Sequence, residues 1–246
     1  MDEKLAQLAT DLEQTAGPNL LSVVLYGSAA SGEFHTQHSD LNLLCLFERL
    51  DAETLKRINP LTRRWARKGH APPLVFEASR LAEAADVFAI ELMDIKASHK
   101  VLYGSDLVAT IEVPLTLHHL QVERELRQNL VRLRQHYLAS DGGRKALLGL
   151  MTASISSFAV LFRHAAIALG APSSELAQPL RKREAVDRLA AVIGFEARPF
   201  HTIFDIREKK IAAREADPEN LFRDYLEAIT RVVHEVDRRL EERSRG

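Results

Sequence analysis

Two short apolar runs, Leu20 to Tyr26 and Leu41 to Phe47, fix most of what the first part of this chain can become. Both are rich in leucine and too short for a core helix. The first stops at Gly27, and a polar stretch from Ser31 to Asp40 separates it from the second. Apolar runs of this length between turn residues read as buried strands. Asp2 to Ala16 repeats its apolar residues at helical spacing and ends at Gly17-Pro18, so a helix precedes the first strand. Ala52 to Lys68 reads as an amphipathic helix with a basic outer face at Arg63, Arg64, Arg67 and Lys68. Leu74 to Phe76 follows Pro72-Pro73 as a short strand, and Val87 to Ile95 reads as a further strand-like run, with helix as its alternative.

The texture changes near residue 114. Residues 1–114 hold 11 Lys+Arg against 16 Asp+Glu, a net of -5, and the remainder carries a net of +4. Beyond Pro114 the pattern is helical almost throughout: Leu115 to Ser140, Arg144 to Leu169, Lys182 to Ile193, Phe200 to Arg214 and Pro218 to Arg243. Short turns such as Asp141-Gly142-Gly143 between helices point to an antiparallel bundle. The expected organisation is α+β: a small mixed-sheet domain over 1–112 and an all-α helical bundle over 113–246.

Composition excludes several classes. The 246 residues carry a formal net charge of -1, and basic residues are scattered among acids, so nothing indicates nucleic-acid binding. A single cysteine, Cys45, excludes a disulfide framework. The start of the sequence shows no basic-then-apolar leader, which gives a cytoplasmic expectation. Ala146 to Phe162 has no charged residue, but its Thr and Ser residues and the following Arg163-His164 favour a central bundle helix over a membrane span. The apolar faces of the long bundle helices make a homodimer an expectation as well.

The chemistry is concentrated in Leu21 to Phe47. Gly27-Ser28 sits where a strand turns sharply into a short helix expected over Ala29 to Gly32. Glycine lets backbone approach a phosphate closely, and free N–H groups with a serine hydroxyl can hold phosphate oxygens. Eleven residues lie between Ser28 and Asp40. Asp40 and Asn42 are two apart, so on a strand their side chains share a face. Two oxygen donors on one face suit a Mg²⁺ site for a nucleotide. His35 and His38 read as surface histidines, and His118-His119 as a solvated pair at a helix start.

This segment resembles the nucleotidyltransferase superfamily that includes DNA polymerase beta and the bacterial aminoglycoside nucleotidyltransferases. The resemblance rests on the strand, Gly27-Ser28, the spacer and the apolar-flanked Asp40-Leu41-Asn42, about a ninth of the chain. A strand-rich first domain followed by helices extends the likeness in layout. It implies that Gly27 and Ser28 grip a nucleoside triphosphate and that the Asp-x-Asp positions, here Asp40 and Asn42, bind Mg²⁺. A third carboxylate from a later strand completes the family's set, and a nucleoside monophosphate passes to a hydroxyl acceptor on a small molecule or a protein. Glu91, flanked by Ile90 and Leu92, has the matching context and joins Asp40 as a catalytic candidate; Glu77 and Asp94 are the other acids nearby.

Asn42 departs from the pattern, because it brings an oxygen but no charge. A dication and a unit charge about 4 Å apart attract by roughly 8 kcal/mol at an effective dielectric near 20. Even a small part of that is worth an order of magnitude in metal affinity. Two functions therefore stand open: an impaired nucleotidyltransferase, or a catalytically degenerate relative that binds a nucleotide or a protein partner, such as a toxin-antitoxin-type regulatory module.

Overall fold

The structure, a computed structural model, describes residues 2–30, 41–171 and 181–245. It divides into two compact units, Met1–Leu115 and Thr116–Gly246.

The first unit is built on four strands in the order β3-β2-β1-β4. Helix α1 (Asp2–Ala16) leads into β1 (Leu20–Tyr26), and β2 (Asn42–Phe47) runs antiparallel to it. After α2 (Ala52–Ala66), β3 (Leu74–Glu77) pairs with β2 in parallel. Helices α3 (Ala78–Glu83) and α4 (Ala89–Ala97) then lead to β4 (His99–Gly104), antiparallel to β1. The sheet is therefore mixed.

Because side chains alternate across a strand, the two apolar runs feed two cores. Val23, Leu25, Leu43, Cys45 and Phe47 face α1 and α2, where they meet Leu5, Leu8, Leu12, Ile58 and Trp65. Val24, Leu44 and Leu46 face the opposite way, against Leu81 of α3 and Leu92 and Ile95 of α4. A sheet buried on both faces explains why β1 and β2 read as unbroken apolar runs rather than alternating ones. Burial pushes the Cys45 thiol up to about 12, so it is an inert core residue.

The sheet needs one correction. Val87 to Ile95 does not form a strand: residues Ala89 to Ala97 are helix α4, which buries Ala89, Ile90, Leu92 and Ile95. The fourth strand lies further on, at His99–Gly104. Its half-buried edge position leaves no strong apolar run to read.

The second unit is helical: α5 (His118–Leu138), α6 (Arg144–Ala168), α7 (Lys182–Ile193), α8 (Arg198–Arg207) and α9 (Pro218–Arg245). Helix α6 is long and apolar enough to cross a membrane by length and composition. Its apolar character is accounted for by packing, since α5, α7, α8 and α9 all contact it. Phe158 and Phe162 of α6, Phe195, Phe200 of α8 and Tyr225 of α9 form a continuous ring cluster. The Tyr225 hydroxyl, fully buried, is satisfied by Ser154 Oγ at 3.0 Å. His118 is buried rather than solvated: its Nε2 lies 2.9 Å from Nδ1 of His164, a partner 46 residues away. Helix α8 ends at Arg207, earlier than the expected Arg214, where Lys209 takes a left-handed backbone at φ 59°.

Candidate nucleotide site

The site is set by how β1 ends. Tyr26 is extended, with φ -140° and ψ 174°, and Gly27 then turns to φ 77°. That backbone is strained for any residue with a Cβ. A tight 3-10 turn, Gly27–Ala29, follows, closed by the Ala30 N–H donating to the Gly27 carbonyl at 2.9 Å. A Cβ at position 27 would stand 3.2 Å from Nδ2 of Asn42. Gly27 and Asn42 are thus brought together at the end of β1. The backbone of Ser28 lies in the turn; its side chain and all of Asp40, His35 and His38 fall outside the described residues.

Strand register places more groups at this end of the sheet. Tyr26 stands opposite Asn42 on one side and His99 on the other. Alternation puts all three on the α3–α4 face, because Val24, Leu44 and Val101, two residues along each strand, belong to that core. Glu91 of α4 approaches the same row. Burial raises the Tyr26 phenol above its ordinary range, and the negative charge of Glu91 adds to the rise. Glu91 therefore stands near Tyr26, exposed on a helix rather than on a strand.

The other acids are elsewhere. Parallel pairing sets Leu44 beside Leu74 and Phe47 beside Glu77. Glu77, the acid of β3, is therefore at the far end of the sheet from Asn42. Carrying that register back two residues brings Pro72, not an acid, level with Asn42. Among the described residues, no group of three or more His, Cys, Asp or Glu is close enough to hold a metal ion. The described residues offer Mg²⁺ a neutral amide oxygen at Asn42 and the Glu91 carboxylate. They do not by themselves make a cation site.

Sequence reading missed His99. Its Nδ1 is 3.0 Å from the Ile95 carbonyl and 3.2 Å from that of Lys96. Its Nε2 is 3.0 and 3.1 Å from the two carboxylate oxygens of Asp106. Every one of these neighbours is an oxygen that can accept from a ring N–H. The ring sits at the carbonyl end of α4, beside its last carbonyls. Burial works against ionisation of Asp106, yet the Ala109 amide and His99 together hold its carboxyl below the ordinary range. The pair ties α4, β4 and the turn after β4 together. The nearest sequence signal was Gly104-Ser105-Asp106, a turn shortly after a histidine.

No family model matches the sequence, and no curated protein matches it either. Among solved structures, the chain is similar to spectinomycin adenyltransferase AAD(9) from Enterococcus faecialis, crystallised with ATP and spectinomycin. That likeness has a TM-score of 0.51 at 13% identity and covers 97% of this chain and 99% of that one. A toxin-antitoxin structure with AMP-PNP aligns over 52% of this chain at 20% identity, but its TM-score of 0.33 carries no argument. At such identities a likeness speaks for the fold and not for the reaction. Taken with the mixed four-stranded sheet and the helices that follow it, the AAD(9) likeness establishes that this chain has the nucleotidyltransferase-like fold.

Proposed function

We propose that the first unit binds a nucleoside triphosphate, ATP being the first candidate, and transfers its nucleoside monophosphate to a hydroxyl acceptor. The observation that carries this reading is the left-handed Gly27 with Asn42 against it, at the end of β1. The Gly27–Ala29 turn offers backbone N–H groups to the phosphates, and glycine leaves room for their approach. In the transfer, the acceptor oxygen forms a bond to the α-phosphorus as the bond to the bridging oxygen breaks. Pyrophosphate leaves, and the acceptor proton passes to a carboxylate, for which Glu91 and Asp40 are the candidates. Mg²⁺, held by Asp40 and Asn42, would neutralise the phosphates. Incubating the protein with labelled ATP, Mg²⁺ and a panel of hydroxyl compounds tests the reading. Acceptor-dependent release of pyrophosphate, lost in Asp40→Ala, is the expected result.

A second reading keeps the nucleotide and drops the reaction. Asn42 in place of an acid favours it, as does Pro72 level with Asn42 where a further carboxylate would serve. In that case Mg²⁺-ATP binds without turnover, and the protein acts through a partner. Nucleotide binding without pyrophosphate release, for any acceptor, would select this reading.

A further inference from the structure

We propose that the outer face of α2 binds the phosphate backbones of duplex DNA. On this helix the basic residues gather on one exposed face. Lys56, Arg57, Arg63, Arg64, Arg67 and Lys68 lie on α2 and the turn that closes it, and all six are exposed. They are six of the eleven cations in residues 1–114; the rest of that stretch has five cations against fifteen acids other than Glu53. At about 100° per residue they fall into two rows. Lys56, Arg63 and Arg67 form one row and Arg57, Arg64 and Lys68 the other, with Glu53 and Pro60 between them. Thr54, Ile58 and Trp65 point the opposite way, into the core.

Helix electrostatics favours most of these positions but leaves the charge of the face largely uncompensated. The helix dipole favours cations in the last turn, which covers Arg63, Arg64, Arg67 and Lys68. It does not reach Lys56 and Arg57, which lie beyond the first turn. Arg57 is offset by Glu53 at 3.3 Å. The other five cations make no ion pair among the described residues.

The geometry suits two phosphate strands. The rows run about 18 Å along the helix, roughly five base-pair steps of 3.4 Å. They stand on the order of 10 Å apart at their tips, given a helix about 10–12 Å across. The B-form major groove admits a helix of this size, whereas the A-form groove of duplex RNA is too narrow. The face presents charge without an apolar anchor of the kind that holds protein interfaces. Counterion release is the one driving force that makes such a face bind well, and it needs a polyanion. The two rows are assigned to phosphates rather than to base edges, so the binding is independent of sequence.

The test is fluorescence anisotropy of the full chain with a labelled duplex of about 20 base pairs, in about 50 to 200 mM salt. Five free cations predict a log–log slope of affinity against salt near -4.5, with micromolar to 100 µM affinity. Arg63→Gln/Arg64→Gln/Arg67→Gln should flatten the slope to about -2 and weaken binding about tenfold or more. Arg63→Lys/Arg64→Lys/Arg67→Lys, which keeps the charge, should keep the slope. No binding at low salt, an unchanged slope in the Gln variant, or loss in the Lys variant overturns the proposal. So does tighter binding to polyglutamate or phosphatidylserine vesicles than to the duplex.

Discussion

A Cβ added to Gly27 would stand 3.2 Å from the amide nitrogen of Asn42, so the glycine that ends β1 and the asparagine that begins β2 close this end of the sheet together. Gly27→Ala must then take a left-handed backbone and push Asn42 aside. The backbone term alone costs about 1–2 kcal/mol. Urea unfolding should show a loss of that size, and calorimetry should show weaker ATP binding. Unchanged values for both would contradict the geometry at this turn.

Asn42→Asp swaps an amide for a carboxylate of the same shape. If position 42 is a metal ligand, Mg²⁺-dependent ATP affinity should rise tenfold or more, from the Coulomb term of an added charge. Calorimetry across a Mg²⁺ titration reads this directly. No gain would place the cation, if one binds, away from position 42.

Asp106→Ala removes the carboxylate that accepts from His99 and from the Ala109 amide. Asp106 is partly exposed, so solvent screens the loss, and about 1 kcal/mol is expected. The same change should loosen the carboxyl end of α4, read as faster amide hydrogen exchange at Ser98 and His99. Exchange rates equal to wild type would count against the clasp.

Glu235 of α9 accepts from Arg238 and Arg239 at 2.6 Å each, which takes its carboxyl from 4.5 down to about 2. Because the folded value is the lower one, the stabilisation is complete above about pH 4.5 and is lost as pH falls towards 2. Glu235→Gln should therefore lower Tm at pH 7 and leave a shallower decline between pH 4.5 and 2. Parallel acid curves for the two proteins would show that the cluster contributes nothing.

What the sequence revealed followed from burial. β1 and β2 were legible because both faces of each are covered, which demands unbroken apolar residues. The same logic misled at Val87 to Ile95. There Ile90, Leu92 and Ile95 are buried by a short helix, and a short apolar run does not distinguish helix from strand. β4 escaped notice because an edge strand needs little apolar character: Lys100 is exposed, and Val101, Leu102 and Tyr103 are half-buried. Gly27 and Asn42 were each singled out by the family resemblance, but their closeness follows from the Tyr26–Asn42 pairing, which the sequence does not show. The His99–Asp106 and His118–His164 pairs were not legible, since each depends on where a turn or a distant helix brings the partner.

The account rests on one binding event. Equilibrium titration of the purified chain with Mg²⁺-ATP, and with GTP, CTP and UTP alongside, tests it most directly, with Asp40→Ala as the control. The account predicts Mg²⁺-dependent binding of at least one nucleotide that Asp40→Ala abolishes. Absence of binding to all four at millimolar nucleotide, with Mn²⁺ as well as Mg²⁺, or binding that Asp40→Ala leaves intact, would contradict it.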